Sequence, residues 1–169
     1  YDFLNDAENI SKNLDISRRV ITEFKASIYQ QFIDNYAAIL YRLNQQFKQA
    51  ITAHNKAIKE SKQSFIPLKD RRIIEEFIYE IADTHHLAGE YQQALELIDD
   101  VLVARPRFAE ILLLKLKILN AQKEYAQANQ VITLLDRYWQ DADPDYSQYK
   151  IFLAEKKSLN LNVSALTAQ

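Results

Sequence analysis

Cysteine and methionine are absent from the 169 residues, glycine occurs once and proline three times. Each shortage closes off a class of chemistry. Phosphate-cradling loops, dinucleotide-binding turns and nucleophile elbows need clustered glycines, because backbone must approach a ligand closely or turn sharply. Gly89 alone cannot build them. Without cysteine there are no disulfides, no thiol nucleophile and no sulfur-ligated zinc. That leaves the compartment open, while agreeing with an oxidising one such as the bacterial periplasm or envelope. With no methionine, the natural start is missing, and a chain beginning at Tyr1 reads as a piece of something longer. No apolar run reaches the ~20 residues of a membrane span, and no signal-peptide layout stands at the N-terminus.

Charge is nearly balanced, with a formal net value of −2. No basic footprint for nucleic acid and no polybasic membrane anchor is present. Arg18-Arg19 and the stretch Lys69 to Arg72 are short positive spots, the second offset by Glu75, Glu76 and Glu80. The expected partners therefore exclude nucleic acid and direct membrane insertion. At this length, with 48% hydrophobic residues, the composition suits one globular domain with a sizeable core.

What is present is an echo. Tyr91-Gln-Gln-Ala94 and Tyr125-Ala-Gln-Ala128 place the same Tyr-x-x-Ala fragment 34 residues apart, and Phe47-Lys-Gln-Ala50 supplies a third copy with Phe for Tyr. A period of that length belongs to stacked helical hairpins. Further upstream, Val20, Phe24, Ile28, Phe32, Tyr36 and Leu40 recur every four residues, one stripe of a long helix running from Ser17 to a turn near Asn44-Gln45-Gln46. A shorter opening helix is expected over residues 2–14. Pro67 marks a loop from Ser64 to Asp70, with Asp70 positioned to cap the next helix. That helix runs to about His86, where Gly89 supplies the left-handed residue that closes it. Helices over 91–104, 109–121 and 125–139 follow. Asp143-Pro144 reads as a cap and first helical position for a last helix over 144–158, with Tyr146, Tyr149 and Leu153 on its buried side. Residues 160–169 read as a loose tail or linker.

Residues 75–108 resemble a tetratricopeptide repeat, with Ile78, Ile81, Ala82, Gly89, Tyr91, Ala94, Ile98, Val101 and Pro106 at its signature positions. Residues 109–142 fit through Leu112, Leu116, Leu119, Tyr125, Ala128, Ile132 and Leu135, without the glycine or the proline. A degenerate unit at 31–64 fits through Ala38, Tyr41, Phe47, Ala50, His54 and Ala57. The resemblance implies an all-α, right-handed helical-hairpin solenoid of two and a half to three hairpins. Residues 1–30 would add N-terminal helices, and the 144–158 helix would cap the other end. It also implies a non-catalytic module that holds a peptide or helix of a partner protein in a concave groove. The groove-facing positions would be Asn35, Ile39 and Arg42; Glu76, Tyr79, Asp83 and His86; and Glu110, Leu113, Lys117 and Asn120. Some family members clamp a terminal carboxylate with lysines and asparagines, but Lys117 and Asn120 are only a fragment of that pattern, opposed by Glu76 and Asp83. An alternative context is an accessory domain of a bacterial envelope machine (polysaccharide export, oligosaccharide ligase or secretion), docking subunits or guiding a glycan.

Other constellations weigh less. His85 and His86 are helix neighbours about a hundred degrees apart and cannot grip one ion together; Asp83 with His86 has ligand spacing but lacks a third group. Asp99-Asp100 and Glu75-Glu76 are paired acids on solvated helix faces rather than carboxylates in unlike environments flanking a pocket. No catalytic residue, metal or cofactor is expected. The aromatic group Tyr138, Trp139, Tyr146, Tyr149 and Phe152 could stack on a sugar or anchor a partner, but a terminal repeat needs a cover, and packing of the last helix accounts for it.

Overall fold

The computed structural model describes residues 7–24, 30–63 and 71–167. These form eight α-helices: α1 (Ala7–Phe24), α2 (Gln30–Leu43), α3 (Phe47–Gln63), α4 (Arg71–Leu87), α5 (Tyr91–Ala104), α6 (Ala109–Ala121), α7 (Tyr125–Tyr138) and α8 (Ser147–Thr167). No strand occurs among the described residues. The chain is all-α, and the packing between adjacent helices is consistent with a helical-hairpin solenoid.

Three helix reversals share one geometry. α3, α5 and α7 each begin on the aromatic of the repeated fragment, Phe47, Tyr91 or Tyr125. Two residues before each aromatic stands the left-handed residue: Gln45 (φ 59°), Gly89 (φ 77°) and Lys123 (φ 63°). The hydrogen bonds repeat as well. Gln46 N donates to Tyr41 O (2.8 Å) and Gln45 N to Arg42 O (2.9 Å). Glu90 N donates to His85 O (2.9 Å) and Gly89 N to His86 O (3.0 Å). Glu124 N donates to Leu119 O (2.9 Å) and Lys123 N to Asn120 O (3.1 Å). This is the paired-bond closure in which a left-handed residue satisfies the last carbonyls of a helix. The residue after it then accepts the first bond of the next helix, from Ala50, Ala94 or Ala128 respectively.

That reversal puts alanine three residues into each returning helix, where Ala50, Ala94 and Ala128 are all fully buried. The positions four further on are buried too: His54, Ile98 and Ile132, followed by Ala57, Val101 and Leu135. A methyl side chain allows close helix approach, so these positions set the packing distance.

The structure divides into two compact units, Tyr1–Leu97 and Ile98–Gln169, with the boundary inside α5. In the first, α2 and α3 form a hairpin, α4 lies on α3 and touches α2, and α1 packs on α2. Leu14 of α1 meets Ile33 and Ala37 of α2, with Leu40 beside them. In the second, α6 and α7 form a hairpin and α8 lies against both. Its core joins Leu112, Leu113, Leu116 and Leu119 of α6 to Ala128, Ile132 and Leu135 of α7 and to Phe152 and Leu159 of α8. Trp139 anchors the cover, tilted on Phe152 (5.4 Å between centroids) and edge-on to Tyr146 and Tyr149 (6.1 and 6.3 Å).

Four expectations change. The four-residue stripe is not one helix: α1 ends at Phe24 and α2 begins at Gln30, with Leu14 packed against a residue 19 positions later. The opening helix is α1 itself, starting at Ala7 among the described residues. Pro144 does not begin a helix. Asp143 accepts bonds from Asp145 N (2.8 Å, at its side chain) and Tyr146 N (2.9 Å, at its carbonyl), forming a turn that delays α8 to Ser147. The buried face also differs: Phe152, packed on Trp139, is buried while Leu153 is exposed. Helix also continues through the expected tail as far as Thr167. The loop at 64–70, with the expected cap at Asp70, lies outside the described residues.

The three reversals make a stability prediction. A Cβ at Gly89 meets nothing within 4 Å, so Gly89→Ala suffers only the left-handed backbone penalty. It should cost about 1 kcal/mol, and Lys123→Gly or Gln45→Gly should stabilise by about 0.5–1 kcal/mol. Ala94→Leu or Ala128→Leu should overpack the helix approach and cost ~1–3 kcal/mol. Urea denaturation of the five variants tests both sets of signs.

Candidate functional site

The expected groove positions fall in both units. In the first unit, Arg42 is the centre. It stands in the last turn of α2, three residues before the left-handed Gln45. Its Nη1 contacts Asp83 Oδ2 at 2.6 Å and Glu80 Oε2 at 2.8 Å, both on α4. Asp83 in turn lies 3.7 Å from His86 Nδ1. All three Arg42-cluster side chains are at most 23% exposed. Burial pushes the Glu80 carboxyl above its ordinary range, and Asp83 adds to that while Arg42 opposes it. One guanidinium thus holds two carboxylates and ties the hairpin to the helix that covers it.

Asn35 faces inward, its Oδ1 2.9 Å from His54 Nδ1. Ile39 is buried in the core at 3% exposure. Glu76 is exposed, and Tyr79 is partly buried. Of the seven positions in this unit, the geometry therefore brings Arg42, Asp83 and His86 together, commits Asn35 and Ile39 to packing, and leaves Glu76 facing water. His85 is engaged with the N-terminus of α5, its Nδ1 2.7 Å from Glu90 Oε2.

In the second unit the corresponding face of α6 meets α8. Glu110 Oε1 accepts from Tyr146 Oη at 3.1 Å, and Asn120 Nδ2 donates to Glu155 Oε2 at 3.0 Å. Leu113 is 2% exposed and belongs to the core. Lys117 is partly buried. Asn120 holds the same place as Arg42, three residues before a left-handed residue, and both donate to the helix laid over their hairpin. This shared bridging position was not foreseen. Its only sequence signal is a polar residue at a fixed distance before each reversal, which says nothing about where the bond goes.

A separate open cleft of about 280 Å³ lies among the end of α5, α6 and α7, lined by Leu102, Leu112, Val131 and Leu134 with Gln127 and Gln130. None of the expected groove residues lines it. Among the described residues no group of three or more His, Asp or Glu side chains could hold a metal ion. No helix among them is long and apolar enough to cross a membrane. No protein-family model matches this chain, and no curated protein matches it.

The Arg42 junction predicts that loss of its charge can be compensated. Arg42→Met leaves Glu80 and Asp83 partly buried without their guanidinium and should cost about 2 kcal/mol, discounted from a fully buried pair because water still reaches the cluster. Adding Glu80→Leu and Asp83→Asn should return much of that loss. Thermal unfolding of the single and triple variants measures both.

Proposed function

We propose that this chain is a non-catalytic interaction module of the tetratricopeptide-like kind, holding a peptide or helix of a partner protein. The observation that carries the reading is the recurrence of one helix reversal at Gln45, Gly89 and Lys123, each followed by an aromatic and a buried alanine. Repeated hairpins of this sort stack by neighbour contacts and present an extended surface. The residue mixture on the first helices of the hairpins also supports it. In the first unit Glu76 and Tyr79 on α4 offer an acid and an aromatic, and in the second Lys117 on α6 offers a base, residue types that suit side chains of a polypeptide rather than one small substrate. Hot spots in such surfaces are few, so only some of these positions carry affinity.

Photo-crosslinking tests this directly. A photoreactive amino acid at Glu76 or Lys117 should give one defined polypeptide adduct in cells of the natural host. The same probe at Thr52 or Asn129, exposed on the second helices of the hairpins, should not. Equal adducts from all four positions, or from the second pair alone, contradict the assigned face.

A further inference from the structure

His54 occupies a place that isoleucine fills in the two equivalent helices. Counting from the aromatic that opens each, His54 of α3 corresponds to Ile98 of α5 and Ile132 of α7. All three are buried, and His54 is 0% exposed. α3 is packed between α2 and α4, and the ring spends one nitrogen on a neighbour: Nδ1–H donates to Asn35 Oδ1 on α2 at 2.9 Å. The other nitrogen, Nε2, is buried with no hydrogen-bond partner. With the Nδ1 proton in place, Nε2 carries the lone pair, so it is the atom an added proton must reach.

The charged groups acting on the ring come from both flanking helices. Arg42 on α2 opposes a second positive charge, and Asp83 on α4 favours one. Asp83 is already held by Arg42 at 2.6 Å, which also engages Glu80, and His86 adjoins Asp83. On α3 itself, Lys56 and Glu60 belong to a separate cluster with Asp34. A proton on Nε2 would therefore place a cation in the core, beside a guanidinium, with its nearest acid already committed.

We propose that His54 is an acid-operated latch: protonation of its Nε2 separates α4 from the α2–α3 hairpin in the first unit, while the second unit, with isoleucine in this place, stays closed. Burial first, and Arg42 second, hold the ring's pKa down from 6.5 to about 3, with Asp83 partly opposing. An opened His54 takes up its proton near 6.5, and the closed one does not until about 3. The stabilisation is complete above pH 6.5 and is lost as pH falls through that window. Glu80, with its pKa raised, acts in the opposite sense by accepting a proton earlier when closed than when open.

The experiment is amide hydrogen exchange on the whole chain from pH 7 to 5, corrected for the intrinsic pH dependence of exchange and repeated in a Glu80→Gln background. Opening of α3 and α4 should rise about tenfold per pH unit below 6.5, while α6 and α7 hold their protection. His54→Ile and His54→Gln should each abolish the rise, and His86→Gln should retain it. Two variants guard against a folding defect in either, since glutamine keeps a donor for Asn35 and isoleucine reproduces the equivalent helices. The same pH response in the His54 variants as in wild type would overturn the latch. So would opening of both units together, or a first unit whose protection does not change down to pH 5.

Discussion

To turn a helix back on itself within three residues, one residue must enter the left-handed region, where a side chain costs backbone energy. This chain accepts that cost at Gln45 and Lys123 and avoids it only at Gly89. The rest of the arrangement depends on it. The reversal fixes where the returning helix begins, and so places an aromatic at its start and a buried alanine in its first turn. The buried faces of α3, α5 and α7 then run in the same register. A left-handed glutamine or lysine is tolerated because burial of the alanine, and of the two core positions beyond it, offsets the strain.

Within that shared frame the two units close their hairpins by different chemistry. The second does so by apolar packing, with Phe152 and Leu159 of α8 against a leucine-rich α6 and Trp139 beside them. The first also packs apolar residues, Phe77 and Ile81 of α4 among them, but adds a histidine and an ion-pair cluster where the second has isoleucine and the Asn120–Glu155 bond: His54 with Asn35, and Arg42 with Glu80 and Asp83. Polar contacts of this kind are directional and pH-sensitive, whereas packed leucine is neither. The first unit is thus the more conditional of the two, and it carries seven of the eleven positions expected to meet a partner.

Much of the fold was readable in the residues, for local reasons. Tyr91-x-x-Ala94 and Tyr125-x-x-Ala128 report the reversal directly, and that echo allowed Phe47-x-x-Ala50 to be placed despite the missing glycine. Misses came where the deciding contact is not local. The stripe from Val20 to Leu40 contains no breaker, so only the contact of Leu14 with Ile33 and Ala37 shows that the chain reverses. Asp143-Pro144 satisfies the pattern for a helix start and equally that for the turn it forms. α6, written AEILLLKLKILNA, is apolar on nearly every side, so periodicity cannot separate Leu113, which is buried under α8, from a residue facing out. Ile39 is buried too, although α2 is clearly two-faced. The Arg42 and Asn120 bridges join residues 35 to 41 positions apart, a distance at which sequence pattern is silent.

The central claim is that Gln45, Gly89 and Lys123 are one structural position used three times. Solution NMR tests it most directly, because positive φ brings the amide proton and the α-proton of the same residue unusually close. Strong intraresidue amide-to-α cross-relaxation at Gln45 and Lys123, alongside Gly89, is the predicted result. Ordinary helical or extended values at Gln45 or Lys123 would contradict it, and with it the reading of the chain as repeated hairpins.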